Sequence, residues 1–259
     1  EDGKPYDTFS KVRNPVSFLS DGGHKKTNWT TFRSNVNVTY DLSKWLKGLS
    51  LTGSGAYKTV EKDYQEQSNE VFWYDWIGNQ TGNKNDPGFL KEEHMKWTNI
   101  TLGGFVNYTN RFADVHNIEA MFGMTTEEED YKKIGAARNK GPIYPGSDLS
   151  DLDVWTSGDN NSAYGGQSSW SFVSYVARAK YDYDNRYLVE FTGRRDGSSK
   201  LSKKHRWKNF YSISGGWVIT NEDFMKNVPY LNFLKLRYNY GRTGSVEGIG
   251  NYERFQTIK

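Results

Sequence analysis

The side chains of this protein that could do chemistry are mostly aromatic rings and carboxylates. Residues 71–77 read Val71-Phe72-Trp73-Tyr74-Asp75-Trp76-Ile77, and a second group holds Trp155, Tyr164 and Trp170. Flat aromatic faces suit sugar rings through C–H/π contacts, with Asp75 and Asn79 placed to bind hydroxyls. The alternative is that these rings pack their own loops. Asp148, Asp151, Asp153 and Asp159 offer carboxylates to Ca²⁺, but the spacing misses the EF-hand pattern, and a solvated acidic loop is the simpler reading. His24, His94, His116 and His205 lack zinc-type spacing. No Gly-X-Ser-X-Gly elbow, phosphate-binding loop or dinucleotide fingerprint occurs. With 31 acidic residues, isolated carboxylate pairs are unavoidable and say nothing for a glycosidase. The expectation is a protein that binds and does not catalyse, with no resident cofactor.

Composition bounds what can hold such residues in place. The 259 residues contain no cysteine, which excludes a disulfide scaffold and any thiolate metal site. A net charge of +3 with scattered basic residues does not argue for nucleic acid. No run approaches the ~18 apolar residues of a membrane-spanning helix. No leader-type apolar segment follows Glu1, so a mature chain is expected. Low mean hydropathy (−0.85) beside 16% aromatic residues points to β structure with long polar connections.

Period-two alternation dominates the chain. Phe32, Val36, Val38, Tyr40 and Leu42 share one face, and Arg33, Asn35, Asn37 and Thr39 the other. Similar alternation follows over residues 49–58, 99–108, 117–124, 173–183, 187–196, 211–219 and 234–240. Eight strands result, each near the ~9–11 residues that cross a bilayer at a tilt. A soluble sandwich and a membrane barrel both alternate in this way. Connection lengths separate them. Short turns at 43–48, 110–114 and 184–186 exchange with connections of 61–95 and 127–167, as in barrels with short periplasmic turns and long external loops. Glu127-Glu128-Glu129-Asp130 reads as a solvated strand exit. Asn221-Glu222-Asp223 reads as a helix N-cap that lengthens one turn. Tyrosines at strand ends (Tyr40, Tyr57, Tyr108, Tyr183, Tyr187) suit an interfacial girdle. The fold class expected is all-β, an antiparallel transmembrane barrel segment. The alternative is a soluble β-sandwich serving as a glycan-binding or adhesion module, and a self-contained eight-stranded barrel ranks third.

From Ser174 onward, particular runs stand out. They include Ser174-Tyr175-Val176-Ala177-Arg178-Ala179-Lys180-Tyr181-Asp182-Tyr183, Arg194-Arg195-Asp196-Gly197-Ser198-Ser199-Lys200-Leu201, Ser212-Ile213-Ser214-Gly215-Gly216-Trp217 and Leu234-Lys235-Leu236-Arg237-Tyr238-Asn239-Tyr240-Gly241. On these runs the sequence resembles the SusC/RagA-like family of TonB-linked outer-membrane proteins. The resemblance implies a bacterial outer-membrane location and a 22-stranded barrel filled by an N-terminal plug. It also implies import of oligosaccharides or peptides by binding and gated passage. The implied partners are a SusD-like surface lipoprotein acting as a lid, the TonB complex, outer-membrane lipid and the imported solute. Residues 1–259 would be a partial barrel domain lacking the plug and the C-terminal strands. Trp73, Tyr74, Asp75, Trp76, Trp155 and Tyr164 are then expected to meet solute or lid. Arg178, Lys180, Glu190, Arg194, Asp196, Lys235 and Arg237 would line the lumen, there pairing with the plug and across strands or guiding a polar solute.

Overall fold

A computed structural model describes residues 19, 21–74, 77, 80–84, 88–139, 151–155, 161–226, 228, 230–246 and 248–252. Eight long strands form one sheet: β1 (Gly23–Asp41), β2 (Leu49–Ser68), β5 (Phe89–Phe112), β6 (His116–Asn139), β7 (Ser162–Tyr183), β8 (Tyr187–Ser198), β9 (Trp207–Val218) and β10 (Lys235–Arg242). They lie side by side in that order, with β1 and β10 at the edges. A separate hairpin pairs β3 (Val71–Tyr74) with β4 (Gln80–Lys84). The eight expected strands are all present. The linear order is that of an open sheet, which removes the self-contained barrel.

The tight turns follow from local chemistry. Asp184 and Asn185 both adopt positive φ (52° and 54°), the left-handed region that Asp and Asn tolerate best. The Asp182 carboxylate accepts a hydrogen bond from Asn185 N at 2.7 Å, closing the β7–β8 turn. Gly48 ends the β1–β2 turn at φ +85°, where a side chain would collide with the Thr109 carbonyl. The Thr109 N–H donates to the Gly48 carbonyl at 2.8 Å.

Two expectations are corrected. Much of 61–95 is strand, because β2 runs to Ser68 and β5 starts at Phe89. β6 continues to Asn139 and β7 begins at Ser162, so Glu127–Asp130 lies within a strand and is not its exit. The turn after β9 is lengthened, as expected, by short helical segments, two 3-10 helices at Ile219–Asn221 and Asp223–Met225, though the Glu222 side chain at the second N-cap makes no cap hydrogen bond.

Contacts divide the chain into two compact units. The second comprises Arg33–Lys58, Thr98–Asp130 and Ser168–Lys259. Here cross-strand register aligns like with like. On one face the rows read Tyr183, Tyr187, Trp217, Leu236, then Tyr181, Val189, Gly215, Tyr238, then Ala179, Phe191, Ile213, Tyr240. On the other they read Lys180, Glu190, Ser214, Asn239 and Arg178, Thr192, Ser212, Gly241. The apolar face is open: Val189, Phe191, Ile213 and Leu236 are 48%, 48%, 47% and 62% exposed, and Val38 is 62% exposed. Among the described residues, Val218 is this unit's one buried large apolar side chain. A sandwich would bury that face under a second sheet, so the soluble-sandwich reading fails.

Aromatic rings edge the apolar rows. Toward the short turns, Tyr183 stacks on Tyr187 at 6.3 Å and His116 lies 5.2 Å from Tyr183. Eight residues up β7, Tyr175 stacks on Trp207 at 5.9 Å. Eight residues of strand are ~26 Å long, or ~20 Å of height at a barrel tilt of ~40°. That height suits a hydrocarbon belt.

The first unit comprises Glu1–Phe32, Thr59–Trp97 and Tyr131–Gln167. It has a small apolar core of Val71, Trp73, Leu90 and Trp155.

Candidate functional site

In the second unit, register places Arg178, Lys180, Glu190, Arg194, Asp196, Lys235 and Arg237 all on the polar face. Lys180 Nζ lies 3.1 Å from the Glu119 carboxylate. Arg194 Nε donates to Asp196 at 2.6 Å, its NH2 donates to Ser174 Oγ at 3.0 Å, and its guanidinium lies 5.8 Å from the Phe172 ring. Among the described residues, Arg178, Glu190, Lys235 and Arg237 have no ion-pair partner. A concavity of about 800 Å³ near the short turns is lined by Lys47, Arg111, Lys180, Lys235 and Arg237 against Glu119, Asp182 and Glu190. Five cations facing three carboxylates leave it electropositive, suited to acidic side chains or hydroxyl-rich solute. A second cavity of about 610 Å³ is lined by Trp170, Phe172, Phe210, Arg206 and Lys208, and the buried Arg206 Nε has no partner there.

In the first unit, a network unforeseen from sequence centres on Glu93, which is 7% exposed. Its Oε1 accepts from Tyr164 Oη at 2.7 Å, Lys133 Nζ at 2.9 Å and Lys91 Nζ at 3.0 Å. Burial opposes the Glu93 charge, but these three donors outweigh it and lower its carboxyl pKa to about 2. The Tyr164 hydroxyl is pushed up, by burial and then by the Glu93 carboxylate. Lys133 also lies 5.2 Å from the Tyr164 ring. Beside this cluster, Trp29 stacks on Trp97 at 6.0 Å, Trp97 meets Tyr131 at 5.0 Å, and Lys62 sits 5.2 Å from the Trp29 ring. Trp29 remains 59% exposed. The sequence carries no periodic signal for this strip, because both faces of Lys62-Asp63-Tyr64-Gln65-Glu66 and Lys91-Glu92-Glu93 are polar.

The aromatic residues singled out from sequence occupy different settings. Trp73 is 9% exposed and faces Gly82, its register partner, where an added Cβ would stand 2.6 Å from the indole nitrogen. Trp155 is 1% exposed, and its carbonyl accepts from Arg138 at 3.2 Å. Solute can reach the rings of Trp73 and Trp155 only if their surroundings open. Tyr74 is half-buried on β3. Trp170 Nε1 donates to Glu129 at 3.0 Å, with Lys200 5.3 Å from the ring. Asp75, Trp76, Asn79, Asp148 and Asp159 lie outside the described residues. Asp151 sits at the N-cap of the 3-10 turn Leu152–Val154 and Asp153 lies within it, and among the described residues no three potential ligands converge on a metal site.

An antiparallel sheet with an exposed apolar belt, aromatic edges and a charged opposite face is the wall of an outer-membrane-type β-barrel. Relatives agree. The TonB-dependent receptor SusC of Bacteroides thetaiotaomicron is 30% identical over 250 residues, which is 92% of this chain and 22% of that protein. The TonB-dependent receptor P39 of Formosa agariphila is 33% identical over 152 residues, 58% of this chain and 14% of its own length. The solved structure of the RagAB peptide transporter superposes with a TM-score of 0.70 over 88% of this chain and 24% of that one; at 22% identity this is a likeness of fold. No protein-family model matches. The chain belongs to the SusC/RagA-like family of TonB-dependent receptors and spans less than a quarter of the length of each of these proteins.

Proposed function

We propose that this chain is part of the barrel wall of a TonB-dependent importer in the bacterial outer membrane, which takes up oligosaccharides or peptides under a SusD-like lipoprotein lid. The observation that carries this reading is the two-faced sheet of the second unit. An apolar face of this extent, without a core beneath it, is stable against hydrocarbon and costly against water. The charged face opposite suits a water-filled or plug-filled interior. The open edges of β1 and β10 call for further strands, because unpaired backbone groups are expensive in lipid. The RagAB transporter carries peptides, which keeps peptides beside oligosaccharides.

On this reading, the unpaired Arg178, Glu190, Lys235 and Arg237 meet a plug or passing solute, and TonB moves the plug to open the way. Solute contact falls to the exposed Trp29 with the half-buried Trp97, Tyr131, Tyr164 and Tyr74, ahead of the buried Trp73 and Trp155. Membrane fractionation and solute uptake by cells lacking the full-length protein test the function. Recovery of that protein in solution without detergent would overturn the membrane reading, and unchanged uptake in the deletion strain would overturn the transport one. Trp97→Ala is expected to weaken solute binding by about tenfold, the loss of one good stacking contact of ~1.4 kcal/mol; unchanged affinity would remove the strip from the site.

A further inference from the structure

The β8–β9 connection is strongly basic. Five lysine or arginine residues fall between Lys200 and Lys208, and no acidic residue occurs from Gly197 to Lys208. They divide by direction. Lys200 lies against the Trp170 ring, while Arg206 and Lys208 line the inner cavity. Lys203 and Lys204 remain at the exposed loop tip, and neither has an ion-pair partner among the described residues. Immediately below, on the apolar face, Trp207 pairs with Gly197 across the strands and stacks on Tyr175 at 5.9 Å. The Arg195 guanidinium lies 5.4 Å from that indole, on the same outer face, again without a carboxylate partner among the described residues. A cation, Arg195, therefore stands on an aromatic pair that closes the apolar belt, and Lys203 and Lys204 fall in the exposed turn of the connection that leads into Trp207.

We infer that Arg195, seated on the Tyr175–Trp207 pair, together with Lys203 and Lys204 in the adjoining connection, holds the phosphorylated headgroup of an outer-leaflet lipid. The inference rests on the membrane-wall reading above. Position identifies the ligand class: rings at an apolar–polar boundary anchor at the headgroup level, and unpaired cations beside them select anionic headgroups. A soluble partner protein would have no use for the lipid-side placement of Arg195 over Trp207. Arginine also supplies the planar fork that suits phosphate oxygens.

The test uses the full-length protein, reconstituted into phosphatidylcholine nanodiscs doped with bisphosphorylated lipid A or with its dephosphorylated form, and retained lipid is quantified by mass spectrometry. The native protein should retain the phosphorylated lipid preferentially. R195Q/K203Q/K204Q should lose that preference by about fivefold for each charge removed, without changing retention of the dephosphorylated form. K203Q/K204Q, confined to an exposed loop, gives the same readout should the triple variant fold poorly. Lys44→Gln, in the turn at the opposite end, should change nothing. Equal retention of the two lipids by the native protein, or a preference unchanged in both variants, overturns the inference. So does loss of a co-purifying lipoprotein with lipid retention intact, which would make the patch a protein-docking site. A full-length protein that needs no detergent would instead bring down the membrane reading itself.

Discussion

The two units share strands β1, β2, β5, β6 and β7, and along β2, β5 and β6 the character of one face changes from one unit to the other. In the second unit the alternating positions are Leu49, Leu51 and Tyr57 on β2, Ile100, Leu102 and Val106 on β5, and Ile118, Phe122 and Met124 on β6. Continued toward and into the first unit with the same parity, they become Glu61, Asp63 and Gln65, then Glu92, His94 and Lys96, then Glu128 and Asp130 at the end of the second unit and Lys132 in the first. These side chains pair among themselves: His94 with Asp63 at 2.7 Å, Lys96 with Glu61 at 2.7 Å, Gln65 with Glu92 at 2.7 Å. The opposite face is polar in both units. The switch falls at a threonine in each strand, Thr59, Thr98 and Thr126. One strand can thus serve two solvents by changing every second residue, and on the membrane-wall reading proposed above the switch marks where the hydrocarbon ends.

The most damaging way to break this contrast is to put charge into the apolar face. Phe191 lies in a middle row of the belt, paired with Ala179 and Ile213. Phe191→Arg should destabilise the full-length protein in bilayers by up to about 4 kcal/mol, while Gln65→Arg, on the corresponding face of the first unit, should cost about 0–1 kcal/mol. Unfolding by urea in lipid vesicles measures both. Equal effects would show that the two faces share one solvent.

Next in size is Glu93, which holds Lys91, Lys133 and Tyr164 together in the first unit. Its folded pKa of about 2 lies below the ordinary 4.5. A lowered carboxylate pKa stabilises the folded state fully above pH ~4.5, and that contribution is lost as pH falls through ~2. The difference corresponds to about 3 kcal/mol. Glu93→Gln should lower stability by about that amount at neutral pH, with native and variant converging near pH 2. Hydrogen exchange should show the loss in the first unit's strands and leave β8–β10 protected. A loss that does not depend on pH would mean the side chain acts through packing.

The same contrast explains what sequence reading could reach. Alternation marked all eight long strands wherever one face met lipid, because apolar and polar residues then differ in every second position. The charged set from Arg178 to Arg237 fell on one face for the same reason, since one residue of register decides it. The strand extensions were read as loops because both of their faces are wet, and Lys58–Gln67 shows no hydrophobic period at all. Trp73 and Trp155 read as exposed loop rings. What surrounds them, Gly82 for one and Arg138 for the other, is brought there by a hairpin and a strand extension that local sequence does not announce. The Glu93 network draws on β5, β6 and β7, and no local motif encodes such a convergence.

The smallest and most discriminating change moves the boundary itself. Replacing Thr59, Thr98 and Thr126 with valine keeps volume and β propensity nearly constant, yet adds one apolar position to each of three neighbouring strands. Two residues of strand add ~6.6 Å along its axis, or ~5 Å of height at the usual tilt. Mismatch between belt and bilayer costs fractions of a kcal/mol per Å. The triple variant should therefore be most stable in a bilayer with longer acyl chains than the native protein prefers, with a difference of about 1–2 kcal/mol in thin bilayers and almost none in detergent. The measurement is unfolding free energy against acyl-chain length for both proteins. An optimum that does not move would place the boundary in the aromatic rows of Tyr175, Trp207 and Tyr183, whose rings would then hold the belt in register whatever residues flank it.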